Sequence, residues 1–173
     1  LTALFTHDEV TFRGRYYEFE EVALNPKSAQ SPLPIYLSGK MPDVLHRVAR
    51  WGNGWLLSGS SELGIRERIE ALQPLLEERG RKVSEIDMAT TLGLGIAATS
   101  GEAIARFQRN LSGNPDKEQK RHHIRTHNLV GTASDIAGQI ELLGKEGITH
   151  CILQEFQVDT FDEMLEQVQM FGE

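Results

Sequence analysis

Ser38-Gly39-Lys40-Met41 gathers, in four residues, groups that can hold an anion. Glycine lets the backbone approach a ligand closely, and lysine adds a point charge. The preceding Pro34-Ile-Tyr-Leu reads as a short strand and Pro42 to Trp51 as a helix. The loop therefore sits where free backbone N–H groups and a helix dipole favour negative charge. Its spacing is not that of a Walker loop, which argues against nucleoside triphosphate hydrolysis. A plain βα turn that needs glycine, with its lysine in solvent, explains the same residues, and both readings stand.

Ser58-Gly59-Ser60-Ser61 ends the next strand. Ser58 could meet an oxygenated or anionic substrate group while Ser60 or Ser61 caps the following helix; helix capping alone also accounts for the run. Glu155 follows the last strand and could orient a substrate or a cofactor chain, against the alternative of a surface carboxylate, and Asp87 and Asp159 also lie near strand ends. Among the six histidines, His123 and His127 have helical i,i+4 spacing, but no Glu follows His123 as a zinc protease motif requires, so no metal site is expected. His150, opening a strand, is expected to satisfy a backbone partner. Cys151 stands in a buried-strand context with nothing to activate a thiol. Trp51 and Trp55 read as packing residues.

The elements that must position these groups follow from the periodicity. Leu1 to Thr6 reads as the tail of an amphipathic helix; cut at its start and lacking an initiator Met, it suggests a chain that begins inside a larger design. Val10 to Phe19 reads as a short β-hairpin around Gly14, and Asn25 to Pro34, with three prolines, as an extended connection. Strands are expected at Pro34–Ser38, Gly54–Ser58, Ile86–Ala98 and Ile148–Gln154. Helices are expected at Pro42–Trp51, from Ser60 or Ser61 to Arg79, at Gly101–Leu111 and Pro115–Arg125, after the Thr132–Asp135 capping box, and after a second box at Thr160–Glu163. The last helix carries Phe161, Leu165, Val168 and Phe171 on its apolar side. Gly93 and Gly95 inside one strand predict a bulge or a close backbone approach. Four βα units imply a parallel sheet. Four such strands alone leave open edges, so residues 34–173 read as half of a (β/α)8 barrel, with residues 1–33 as hairpin and connection, in one partial domain spanning 1–173.

Composition narrows the classes of function. The chain has 173 residues, 39% apolar and 25% charged, a globular composition. A net charge of −7 argues against a nucleic-acid binder, the local exception being the basic run Lys117 to His127, which reads as a solvated face or an anion contact. No apolar run approaches the ~20 residues of a membrane span, and no signal peptide is visible. A single cysteine excludes an internal disulfide, so a cytoplasmic location is expected.

An ordered set of motifs carries a family resemblance: Val10-Thr-Phe-Arg-Gly-Arg-Tyr-Tyr, Asn25-Pro-Lys, Gln30-Ser-Pro-Leu-Pro-Ile-Tyr-Leu-Ser-Gly, Val48-Ala-Arg-Trp-Gly-Asn-Gly-Trp-Leu, Gly80-Arg, Leu129-Val-Gly-Thr-Ala-Ser-Asp-Ile-Ala-Gly-Gln-Ile and Gly147-Ile-Thr-His-Cys-Ile-Leu. Together they resemble the C-terminal half of the luciferase-like flavin monooxygenases, a superfamily that includes deazaflavin-dependent oxidoreductases. The resemblance implies a flavin-binding TIM barrel of which this chain supplies strands five to eight. It implies FMN or a deazaflavin coenzyme, its phosphate near Ser38, Gly39, Lys40 and Met41, and a small-molecule substrate near Ser58 and Glu155. The catalytic residues are unknown and are expected in the other half. Asn53 departs from the family's usual Asp, and Ser38-Gly39-Lys40 from its usual Gly-Gly and small residue. A half-barrel exposes strand edges, so a homodimer or higher oligomer is expected, and a non-catalytic flavin- or partner-binding module is the alternative to an enzyme.

Overall fold

The structure is a computed structural model and describes residues 1–57, 64–109, 128–156 and 158–172. The chain divides into two compact units, Leu1–Ile35 and Tyr36–Glu173. In the first, helix α1 (Thr2–Thr6) precedes an antiparallel hairpin, β1 (Val10–Arg13) and β2 (Glu18–Val22). Gly14 N–H donates to Tyr17 O at 2.9 Å to close the loop, and Phe12 and Phe19 meet across the strands at 5.7 Å between ring centroids. Arg13 pairs with Glu18 and Glu20 at 3.4 and 2.6 Å. These residues make the expected hairpin.

The second unit is the βα body. Its strands are β3 (Tyr36–Leu37), β4 (Gly54–Leu57), β5 (Asp87–Ile96), β6 (Asn128–Gly131) and β7 (His150–Phe156). Its helices are α2 (Asp43–Trp51), α3 (Ile65–Glu77), α4 (Ser100–Arg109), α5 (Ala133–Glu146) and α6 (Phe161–Gly172). All strand pairs in this sheet are parallel. Ala89 and Thr90 of β5 pair with both β4 and β7, and Gly93 and Leu94 pair with both β6 and β7. A strand has only two edges, so β4 and β6 share one edge of β5, end to end, and β7 takes the other. The through-order β3-β4-β5-β7 is that of four consecutive barrel strands, and β6 extends the sheet beyond the end of β4. The strand β6 falls in a motif, Leu129-Val-Gly, that sequence reading left without an element.

Side-chain alternation decides what each face does. Leu37, Trp55, Leu57 and Met88 point to α2 and α3, where Val44, Val48, Leu72 and Leu76 are fully buried around them. Tyr36, Leu56, Asp87, His150 and Ile152 share the opposite face by register. Near its end β5 is covered on both faces. Leu92, Leu94 and Ile96 pack against Leu129 and Ile136, with Ile140 of α5 and Met170 of α6. Phe107 of α4 lies against Gly93 and Gly95, where a Cβ would stand 3.1 and 2.9 Å from its ring. The register with β7 also shifts between Leu92 and Gly93. The two glycines thus mark both a bulge and a close approach.

The caps follow the sequence with one exception. Thr132 accepts from Asp135 N–H at 3.2 Å and Asp135 accepts from Thr132 N–H at 2.9 Å, the reciprocal box expected for α5. Thr160 accepts from Glu163 N–H at 3.2 Å at the start of α6. Helix α3 is instead capped at Gly64, whose N–H donates to Glu67 at 2.9 Å. Arg81 closes α2 from outside, donating to the carbonyls of Val48, Ala49 and Gly52 at 3.3, 3.1 and 2.7 Å. Carbonyls at a helix C-terminus outnumber the N–H groups that can reach them, and Val48 O also accepts the closing bond from Gly52 N–H at 2.9 Å. The predicted helix at Pro115–Arg125 lies outside the described residues.

Two expectations about apolar faces are corrected. Helix α6 exposes Phe161, Leu165, Val168 and Phe171 (68, 49, 48 and 39% accessible) and buries Gln167 completely. The cause is a backbone need. Pairing of β5 with β7 ends at Leu94, and beyond it the Ile96 N–H donates to the Gln167 side-chain oxygen at 3.2 Å. That bond holds the polar side of α6 against the sheet. Trp55 is core, but Trp51 is 59% exposed, with the Arg50 guanidinium 4.6 Å above its ring. No helix among the described residues is long and apolar enough to cross a membrane.

Candidate functional site

In a parallel sheet the C-terminal strand ends lie on one side, and there the predicted groups fall. Ser38 follows Leu37, the last residue of β3, and Ser58 follows Leu57, the last of β4. Glu155 is opposite Gly93 in the β5–β7 register. Ser58 lies outside the described residues, as does the Glu155 side chain, and so do His122, His123 and His127. The site that can be built from atoms is therefore the β3–α2 loop.

Ser38, Gly39 and Lys40 are exposed and Met41 is half-buried. Gly39 has φ +148°, a conformation that side chains rarely adopt, and the Arg47 guanidinium occupies the place where a Cβ would stand. Arg47 donates to Ser38 O at 3.3 Å from the second turn of α2. The loop thus carries two cations, Lys40 on its tip and Arg47 across its glycine. Sequence reading missed Arg47, although its place eight residues after Gly39, on the polar side of α2 with His46 and Arg50, was available as a signal.

The helix N-terminus contributes less than the sequence suggested. Pro42 has no N–H, and the N–H groups of Val44 and Leu45 already donate to Lys40 O and Pro42 O at 3.1 and 3.0 Å. Asp43 adds a carboxylate to the first turn. Attraction for an anion at this loop therefore comes from the Lys40 and Arg47 side chains more than from the dipole.

Other chemistry-bearing groups lie elsewhere. At the N-terminal strand ends, the Tyr36 hydroxyl donates to Asp87 at 2.5 Å, and His150 Nδ1 stands 4.0 Å from the other Asp87 oxygen. The bond to Asp87, with burial and the carboxylate charge behind it, pushes the Tyr36 phenol up to about 12. His150 also contacts the Thr149 hydroxyl at 2.9 Å, so its partners are side chains and not the backbone group expected. Cys151 is half-buried, and burial pushes its thiol up, away from nucleophilic use. Among the described residues no three His, Cys, Asp or Glu side chains gather as a metal site would require.

The loop, the strand order and the bulged β5 coincide with a match over almost the whole chain: the luciferase-like monooxygenase family fits residues 1–171. The chain belongs to this family. An FMNH2-dependent dimethylsulfone monooxygenase from Pseudomonas putida is 24% identical, covering 99% of this chain and 53% of its own length. An F420-dependent glucose-6-phosphate dehydrogenase from Kineococcus radiotolerans is 26% identical over 69% of this chain and 36% of its own. Among solved structures, a monooxygenase from Streptomyces bottropensis superposes with a TM-score of 0.66 at 21% identity, covering 98% of this chain and 56% of that one. The F420-dependent tetrahydromethanopterin reductase of Methanopyrus kandleri gives 0.62 at 21% identity, over 87% of this chain and 53% of that one. These likenesses show the fold. The chain thus spans about half the length, or less, of the relatives it matches, and its βα body is a half-barrel of this family.

Proposed function

We propose that this chain is the cofactor-phosphate-binding half of a flavin- or deazaflavin-dependent oxidoreductase acting on a small organic substrate. The observation that carries the reading is the β3–α2 loop, where exposed Lys40 follows Gly39 and the Arg47 guanidinium lies over that glycine in the place of a Cβ. Those residues fit the phosphate end of FMN or of a deazaflavin coenzyme, the cofactor types named for the relatives. When bound, the cofactor supplies the hydride or electron chemistry, and the protein supplies binding and orientation. Lys40 and Arg47 would hold the phosphate, Gly39 makes room for the Arg47 guanidinium, and Met41 anchors the loop on the core beneath. Ser58 and Glu155, at the ends of the next strand and the last, are the candidates for substrate contact. A single half-buried cysteine suits a reducing, cytoplasmic setting.

The test compares FMN with riboflavin, which lacks the phosphate. FMN should bind more tightly. Lys40→Glu and Arg47→Glu should each weaken FMN by about 1–3 kcal/mol, ten- to a hundredfold or so, and leave riboflavin unchanged. Equal affinity of FMN for parent and variants would remove the phosphate from this loop. The alternative reading is a binding module without turnover. Oxidation of reduced FMN or reduced F420 separates the two: an enzyme consumes the reduced cofactor with substrate, and a module binds it unchanged.

A further inference from the structure

Leu153 and Phe156 of β7 stand opposite Leu92 and Leu94 of β5, and all four pack in one apolar cluster. Leu92 and Leu94 are two residues apart, as one face of a strand requires. Leu153 and Phe156 are three apart, which in a regular strand would set them on opposite faces. The difference is one extra residue in β7. Pairing steps from Leu153 to Glu155 while β5 steps from Leu92 to Gly93, so the extra residue is Gln154. In an unbulged ladder Glu155 would stand opposite Leu94, on the core face, because a slip of one residue exchanges the faces. With the bulge, the apolar pair keeps the core face. Gln154 and Glu155 take successive places on the other face, the one shared by Leu56 and Ile152. Gln154 is exposed there, at the C-terminal end of its strand, the end at which the β3–α2 loop also lies. Bulges recur beside ligand sites because they re-aim a side chain in this way.

We propose that Gln154 binds the pyrimidinedione edge that flavins and deazaflavins share. The inference rests on the cofactor reading above. That edge is a ring N–H set between two carbonyl groups. A glutamine side chain is its complement: the side-chain N–H2 donates to a ring carbonyl oxygen, and the side-chain oxygen accepts from the ring N–H. A carboxylate in the same place offers acceptors only and sets its charge against the ring carbonyls. The position agrees with the chemistry. β7 is the third strand from β3, about 14 Å along the sheet at ~4.8 Å per strand. A cofactor whose phosphate is held by Lys40 and Arg47 carries its ring at the far end of the ribityl chain, so a phosphate site and a ring-edge site must stand well apart on one rim. Between them the face bears Leu56 and Ile152, apolar side chains that suit a flat ring.

Flavin fluorescence titrations of the full chain test this, with riboflavin, FMN and 3-methylriboflavin, in which a methyl group replaces the ring N–H hydrogen. Gln154→Leu should weaken riboflavin and FMN alike, by about five- to tenfold, the usual worth of such a contact. Gln154→Glu, of the same size, should weaken both at least as much. Lys40→Glu should weaken FMN only. The parent should bind 3-methylriboflavin less tightly than riboflavin, and Gln154→Leu should change that lower affinity by less than about twofold. A merely structural role for Gln154 would lower the affinity for both ring systems equally. Unchanged riboflavin affinity in Gln154→Leu, or equal losses for riboflavin and 3-methylriboflavin, overturns the proposal, and the phosphate loop stands if Lys40→Glu still weakens FMN. Sensitivity to Gln154→Leu with indifference to Lys40→Glu overturns the phosphate loop alone. A parent that binds neither flavin overturns both.

Discussion

The Tyr36 hydroxyl reaches across β4 to Asp87, 51 positions along the chain, and passes over Gly54 to do so. A Cβ at residue 54 would stand 2.6 Å from the tyrosine ring. One glycine in β4 thus lets β3 be tied to β5, which matters because β3 pairs through two residues only. Tyr36→Phe should cost about 1 kcal/mol, the usual net worth of one such bond. The pH dependence has a definite sign. The folded phenol titrates at about 12 and an unfolded tyrosine near 10, so the stabilisation is complete below about pH 10 and is lost as pH rises toward 12. Urea midpoints across that range should converge for parent and variant. Parallel curves would show that the bond to Asp87 does not control the phenol.

Arg81 is the external cap of α2, with three carbonyls on one planar fork. A lysine cannot span them. Arg81→Lys should lower stability by about 1–2 kcal/mol, a fall of several degrees in Tm for a domain of this size. Arg66→Lys is the control. Arg66 is exposed, pairs with Glu146 at 3.5 Å, and should change stability by less than about 0.5 kcal/mol. Similar Tm values for the two variants would deny Arg81 its capping role.

Gln167 holds the Ile96 N–H, while its own side-chain N–H2 is buried and makes no hydrogen bond among the described residues. Gln167→Glu keeps the acceptor and removes the unsatisfied donor, but it buries a carboxyl. Burial raises the folded carboxyl pKa above its unfolded value near 4.3. The variant should therefore match the parent below about pH 4 and lose roughly 3–5 kcal/mol as pH rises toward neutrality. A deficit independent of pH would mean that the carboxylate finds solvent or a cation.

The βα order, the hairpin, the capping boxes and the meaning of Gly93 and Gly95 could be read from the sequence because each is a local pattern with a local cause. Thr132 and Asp135 satisfy each other wherever the helix goes. What could not be read depends on partners distant in the chain. The burial of α6 was assigned by its apolar stripe, yet the side it turns to the sheet is chosen by one unpaired amide at Ile96. Arg47 joins the β3–α2 loop because the helix carries it back over Gly39, and a stretch of sequence shows only a surface arginine. Trp51 looked like core by residue type, but its position on α2 faces away from the sheet. The placement of Ser38 to Met41 at a strand's C-terminal end followed from the order of elements; the spending of the Val44 and Leu45 N–H groups on Lys40 O and Pro42 O did not.

The unequal share of pairing among the strands sets a timetable for solvent entry. β5 borders three strands and is covered at its end by helices on both faces, whereas β3 holds two paired residues at a margin. Amide protons of Ala89 to Leu94 should then exchange with deuterium only when the whole βα body opens, and those of Tyr36 and Leu37 through small local openings that leave the rest intact. The strand that leads into the Ser38–Met41 loop is thus the one most free to shift while the long central strand keeps the register. A loop on a shallowly held strand can adjust to its ligand at little cost to the fold, and ligand binding should slow exchange at Tyr36 and Leu37 before it changes anything in β5.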